Sequence, residues 1–170
     1  MCTFAPLPNG DLVAGGDFST AGGLVSAYVA RLTTTCPASA VAQASGCTSG
    51  GPTLVASRLP WVGGTFHSTC SGMATVSLGL AALGATSPGW PLSLIHPAGA
   101  PGCLLLASPD LTLYLLPVNG VATLQFNIPV NATLVGVMLR HQVLELEFDA
   151  NLNLISLKSS NGLTLTIGMF

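Results

Sequence analysis

The sequence predicts an all-β protein: an antiparallel β-sandwich or jelly-roll-like domain preceded by an N-terminal β-hairpin extension. Three observations predict it. Apolar and polar residues alternate with period two in several short runs. Gly, Pro, Asn and Ser clusters punctuate the chain at short intervals. No long segment repeats its apolar residues at 3.6 with caps, and only residues 131–139 suggest a short helical turn.

Residues 1–35 read as one unit. Asn9-Gly10-Asp11 is a hairpin signal, because Asn-Gly readily takes the positive φ angles of a type I′ turn. Leu12-Val13-Ala14 makes a short strand that Gly15-Gly16 breaks. Asp17-Phe18 and Ala21-Gly22-Gly23 continue the turn chemistry, and Tyr28 to Leu32 forms a second strand. Residues 36–57 are nearly all small and read as a linker bearing a disulfide.

Residues 58–170 read as the main domain. Leu59-Pro60-Trp61 and Gly64-Thr65-Phe66 open it. Leu104 to Leu116 is apolar, interrupted by Ser108-Pro109-Asp110. The clearest alternation is Thr123 to Val130, with Leu124, Phe126, Ile128 and Val130 on one face. Leu144 to Phe148 repeats the pattern, and so does Leu163 to Ile167. Ser159-Ser160-Asn161-Gly162 predicts a hairpin between this last run and the preceding one, Leu152–Leu157.

Residues 7–18 (Leu-Pro-Asn-Gly-Asp-Leu-Val-Ala-Gly-Gly-Asp-Phe), with Ala21-Gly22-Gly23 and Ala30-Arg31-Leu32, resemble one delta-60, β-propeller-type repeat of large secreted bacterial proteins. Such repeats bury their faces against neighbours, and one alone cannot form a propeller. The main domain resembles a C-terminal β-module of the same repeat-rich proteins. The matching residues are Leu59-Pro60-Trp61, Gly64-Thr65-Phe66, Pro101 to Leu105, Ser108 to Leu111, His141-Gln142-Val143 and the ending Leu163 to Phe170. The resemblance implies an architecture and a secreted or cell-surface setting, and no chemistry.

Composition narrows the function classes. Of 170 residues only four are Lys or Arg and six Asp or Glu, 6% in all with a net charge of −2, where roughly 25% is usual. Two readings stay open: a stable extracellular domain with a Ser/Thr/Asn-rich surface, or a surface covered by other copies or other protein. Four scattered bases cannot form the patch that nucleic acid needs. No apolar stretch approaches the roughly 20 residues of a membrane span. No basic start followed by an apolar region marks a signal peptide, so secretion would need a leader processed off or a longer chain.

Five cysteines fit an oxidising compartment. Short loop closure favours the pairs Cys36–Cys47 and Cys70–Cys103 among the three pairings of these four, leaving Cys2 over. His67 and Cys70 form an H-x-x-C without the second pair that zinc usually requires, so no metal and no cofactor are expected.

Candidate chemistry is sparse. Serines and His67, His96 and His141 are present, but there is no G-x-S-x-G elbow. His96 precedes a proline in a loop and should face solvent, and His141 should be a structural hydrogen-bond donor. Glu145 and Glu147 share a strand face, read as solvated, with a cation or sugar-hydroxyl site including Asp149 as the alternative. Trp61 should pack internally. Trp90, in Pro88-Gly89-Trp90-Pro91, is either packed or a sugar platform.

The expected function is a non-enzymatic extracellular structural module. It would self-assemble, even into surface filaments, or pack on other extracellular protein by β-strand addition. Leu12, Val13, Phe18 and Tyr28 would supply one strand set. The uncharged strand with Leu163, Leu165 and Ile167 would supply an edge, unless it is central in its own sheet. Polysaccharide binding at Trp90 is the first alternative and hydrolysis the second.

Overall fold

The computed structural model describes residues 2–7, 11–21, 24–32 and 37–169. The all-β expectation holds, with antiparallel strands in several sheets. At the N-terminus, β1 (Thr3–Pro6), β2 (Leu12–Gly15) and β5 (Val29–Leu32) form a sheet in the order β1-β2-β5. The short strands β3 (Thr20–Ala21) and β4 (Leu24–Val25) pair between them. The Asn9-Gly10 turn lies outside the described residues. The strands it would join do pair, and the Leu7 N–H donates to the Asp11 carbonyl at 2.7 Å. Arg31 donates through Nε and Nη2 to Asp11 Oδ2 at 2.8 and 2.5 Å, tying β5 back to the start of β2.

The segment read as a linker is not one. It contains β6 (Ser39–Ala42) and most of β7 (Thr53–Arg58), and each edges a sheet of the main domain. Small residues suit β6 because Ala40 packs against the core from its strand. Beyond them come β8 (Thr65–Ser71), β9 (Ser77–Gly84), β10 (Trp90–Pro91), the single turn α1 (Leu92–Ile95) and β11 (Leu104–Leu105). Next are β12 (Leu111–Leu115), β13 (Val121–Asn127), β14 (Met138–Phe148), β15 (Leu154–Ser159) and β16 (Leu163–Thr166). The expected helical turn is a 3₁₀ turn at Ala132–Leu134, capped by Asn131, whose Oδ1 accepts from the Thr133 N–H at 3.0 Å.

A six-stranded sheet runs β12-β9-β14-β16-β6, with β15 also paired to β14. A three-stranded sheet runs β13-β8-β7. Their facing side chains meet in one core that includes Leu54, Phe66, Leu83, Leu124, Val143, Leu163 and Leu165. Fully burying each such side chain contributes about 1.5–3 kcal/mol. The opposite face of the six-stranded sheet is covered too. There Leu144, Leu146 and Leu157 pack under Leu92, Leu105 and the Cys47–Cys103 pair. Burial on both faces explains why β9 reads as a near-continuous apolar run instead of an alternating one.

Two expectations are corrected here. The disulfide joins Cys47 to Cys103, with Cα atoms 3.9 Å apart, so neither Cys36–Cys47 nor Cys70–Cys103 forms. Loop length does not decide the pairing: residues 85–105 fold back over the sheet and bring Cys103 opposite Cys47 in an antiparallel bridge. Cys70 is a buried free thiol and Cys2 an exposed one, while Cys36 lies outside the described residues. Ser159 to Gly162 is also not a hairpin turn. β15 pairs with residues 144–148 of β14, and β16 with residues 138–141 on the same side. The two strands therefore run on in one direction, and Ser160 bridges them. Its N–H donates to the Val143 carbonyl at 2.9 Å, and its Oγ accepts from the Val143 N–H at 3.0 Å.

Candidate functional site

The strands expected to drive assembly are not edges. β16 is laddered to β14 on one side and β6 on the other, and Leu163, Leu165 and Ile167 are buried. Here the alternative reading, a central strand, is the correct one. Leu12 and Val13 lie on β2, which β1 and β5 flank on both sides. Phe18 lines a shallow apolar depression with Cys2, Phe4, Ala14 and Ala30. Tyr28 is exposed, with a left-handed φ of 66°.

β12 is an exposed edge of the main domain that the sequence pattern does not mark as one. Its residues Leu-Thr-Leu-Tyr-Leu carry no charge, and among the described residues β9 is its only ladder partner. Leu111 is 55% exposed and Tyr114 75%, and Leu116 and Val118 just beyond are exposed as well. Two other strand edges are covered, whereas β6 and β13 each end a sheet with a single ladder partner among the described residues. Asn161 closes on β7, accepting from the Leu54 N–H at 2.8 Å and donating to the Leu54 carbonyl at 3.0 Å. Residues 98–100 lie along β15, whose Leu157 N–H donates to the Ala98 carbonyl at 2.8 Å.

β12 and β13 are consecutive in the chain but belong to opposite sheets. They splay apart toward Leu111 and Asn127, opening a cleft of about 460 Å³. Leu83, Leu111, Leu113, Phe126 and Leu139 line it, with Asp110 and Asn127 as its polar lining residues. Asp110 is the single charged lining group, and it is held in place. Its Oδ2 accepts from the Ala85 N–H at 2.9 Å and the Ser108 hydroxyl at 3.0 Å. The seat exists because residue 84 is glycine: a Cβ there would lie 2.1 Å from Ser108 and 2.8 Å from Asp110 Oδ2.

The remaining candidates are dispersed. Ser68 and His141 do meet, at 2.9 Å from Oγ to Nε2, while Nδ1 lies 3.2 Å from the Ala82 carbonyl. A carbonyl only accepts, so Nδ1 carries the proton and Nε2 accepts from Ser68. This is the polarity of a serine nucleophile and its base, yet both side chains are sealed between the sheets, out of reach of a substrate. Burial pulls the His141 pKa down to about 4, against a smaller opposing effect of the Ala82 hydrogen bond. The pair is a polar pin joining β8 to β14, and His141 does act as a structural donor.

Glu145 is not on a solvated face. It is 2% exposed, on the core side of β14, and accepts from the Ala74 N–H. Burial, and secondarily Glu145, pushes the Cys70 thiol up to about 12. Glu147 lies 3.4 Å from Lys158. Asp149 instead organises the β14–β15 turn, accepting from the Asn151 and Asn153 N–H groups at 2.8 Å. His67 and Cys70 sit on opposite faces of β8, so they cannot share an ion from one strand. Among the described residues no three His, Cys, Asp or Glu side chains cluster as a metal site, and no helix is long and apolar enough to cross a membrane. His96 is solvent-exposed, as expected, and Trp90 is 60% exposed, next to Leu94 and Ile95, which are also exposed.

No protein-family model, curated protein or solved structure matches this chain.

Proposed function

We propose that this chain is an extracellular structural and interaction module that packs on neighbouring protein by β-strand addition, with β12 as the receiving edge. The observation that carries the reading is β12 itself: an uncharged, exposed edge strand above an apolar cleft. Such edges are ordinarily blunted by charge, proline or a covering segment. Strand addition gains main-chain hydrogen bonds along the edge and specificity from side-chain pockets beside it. The neighbour is another copy, extending to filaments if the contact is head-to-tail, or a different extracellular protein. A secreted setting rests on the disulfide and on the likeness of the sequence to secreted repeat-rich proteins.

Light scattering across a concentration series, paired with amide hydrogen exchange, tests this. Exchange at residues 111–115 should slow when neighbouring protein binds, and Leu111→Lys with Tyr114→Lys should abolish the slowing. Exchange at β12 that stays unchanged while neighbours bind elsewhere would remove the basis for the reading.

The exposure of Trp90 favours a second reading, a polysaccharide platform on the outer cover of the six-stranded sheet. Binding to an immobilised glycan panel that is lost in Trp90→Ala would support it. A silent panel would discard it.

A further inference from the structure

We infer that the cleft between β12 and β13 selects the incoming strand: it takes an extended segment of another protein with alternating apolar residues and a Lys or Arg at its C-terminal end. The inference rests on the proposed strand addition at β12 and specifies its partner.

A strand added to β12 would lie roughly 4.8 Å beyond it. Its alternate side chains would then point the same way as Leu111 and Leu113, both of which line the cleft. A five-residue edge admits about two or three such inward side chains. The walls, Leu83, Leu113, Phe126 and Leu139, ask for aliphatic or aromatic residues there.

The charge preference comes from Asp110, which immediately precedes β12. Every ladder in this sheet is antiparallel, so an added strand that continues the pattern brings its C-terminal end to Asp110. The carboxyl is pinned through Oδ2, and among the described residues its Oδ1 accepts no hydrogen bond. Across the cleft, Asn127 uses its Oδ1 to accept from the Thr65 hydroxyl at 2.7 Å. A base at that end meets an immobilised, half-committed carboxylate, whereas an acid there meets like charge.

The chain's own N-terminal edges fit poorly. β1 has no basic residue and ends in Pro6, and the single base of β5, Arg31, is already bonded to Asp11. β6 and β13 have no basic residue either, and β7, which does end in a base, Arg58, has Asn161 bonded across its outer edge at Leu54, so the complementary strand belongs to a different protein.

Fluorescence anisotropy with N-terminally labelled, C-terminally amidated peptides tests this. One is Thr-Val-Thr-Leu-Thr-Lys and the other ends in Glu, each run with the intact chain alongside hydrogen exchange. The Lys peptide should bind about tenfold more tightly at low salt. The preference should shrink in high salt and largely vanish in Asp110→Asn. Equal binding of both peptides with slowed exchange at residues 111–115 overturns the charge selection and leaves strand addition standing. Binding of neither peptide, with exchange at β12 unchanged, overturns both. Self-association of the chain through β12 that displaces the peptides overturns the choice of a foreign partner. The salt dependence of the unmodified chain decides the matter even if Asp110→Asn misfolds.

Discussion

Acid should loosen this fold through one residue. His141 lies between the sheets, donating to the Ala82 carbonyl and accepting from Ser68, with Phe66 edge-on to its ring at 6.1 Å. The unfolded chain takes up the proton near 6.5, and the folded chain not until about 4. Between those values the unfolded state holds more protons, so acidification favours it. The loss begins as pH falls through 6.5 and is complete below about 4. The gap corresponds to about 3 kcal/mol in full, and to about 2 kcal/mol by roughly pH 5. Such a loss is a sizeable share of a typical stability of about 5–15 kcal/mol. Urea unfolding of the native chain and of His141→Gln at a series of pH values reads it directly. Glutamine offers an acceptor to Ser68 and a donor to Ala82 but does not titrate. The difference in stability between the two proteins should narrow steadily as pH falls from 6.5 to 4. If the two curves run parallel over that window, the buried neutral histidine is not the source of acid lability.

Other outcomes follow from the same contacts. Reducing the Cys47–Cys103 disulfide, which closes a separation of 56 residues, should cost about 4 kcal/mol on the chain-entropy account; urea midpoints with and without reductant measure it. Asn161→Ala strips both hydrogen bonds from the Leu54 backbone and should destabilise by about 2–3 kcal/mol, with faster amide exchange along β7. In the native chain at neutral pH, Cys70 should resist alkylation while Cys2 reacts, and denaturant should equalise them; peptide mass mapping distinguishes the two. Gly46→Ala would drive a Cβ to 2.0 Å from the Ser160 carbonyl oxygen and should lower the thermal midpoint, at a cost of about 1–3 kcal/mol.

The strand class was legible because period two survives wherever one face is polar. Leu124 and Phe126 point inward on β13 between exposed Thr123, Gln125 and Asn127, as the alternation says. Periodicity assigns faces, however, and not neighbours. It could not show that β15 and β16 share one side of β14, and so it suggested a hairpin. It could not show that β16 is central, because Leu163, Leu165 and Ile167 look the same on an edge or in the middle. β9 carried a usable signal: Ser77 to Gly84 is too apolar for a half-exposed strand and marks a layer covered on both faces. The Cys47–Cys103 bond follows from that same cover, since the segment that buries the outer face is the one bearing Cys103. β12 was obscured because Leu104 to Leu116 reads as one apolar run. Only the break at Ser108-Pro109-Asp110 hinted that a new strand starts at Leu111.

The scarcity of charge takes on a narrower meaning in three dimensions. A sheet covered on both faces has few positions open to Lys or Glu, and the structure buries two of the ten charged side chains outright, Asp11 and Glu145. Much of the low charge thus serves the chain's own layering and requires no partner. That account fails at β12. Leu111, Tyr114, Leu116 and Val118 face solvent, where a charged residue would cost little and would protect the edge. The one nearby charge, Asp110, is fixed at the mouth of the cleft and leaves the strand itself bare. An edge without its usual protection, beside a cleft with a positioned carboxylate, is where the argument for a protein partner now rests.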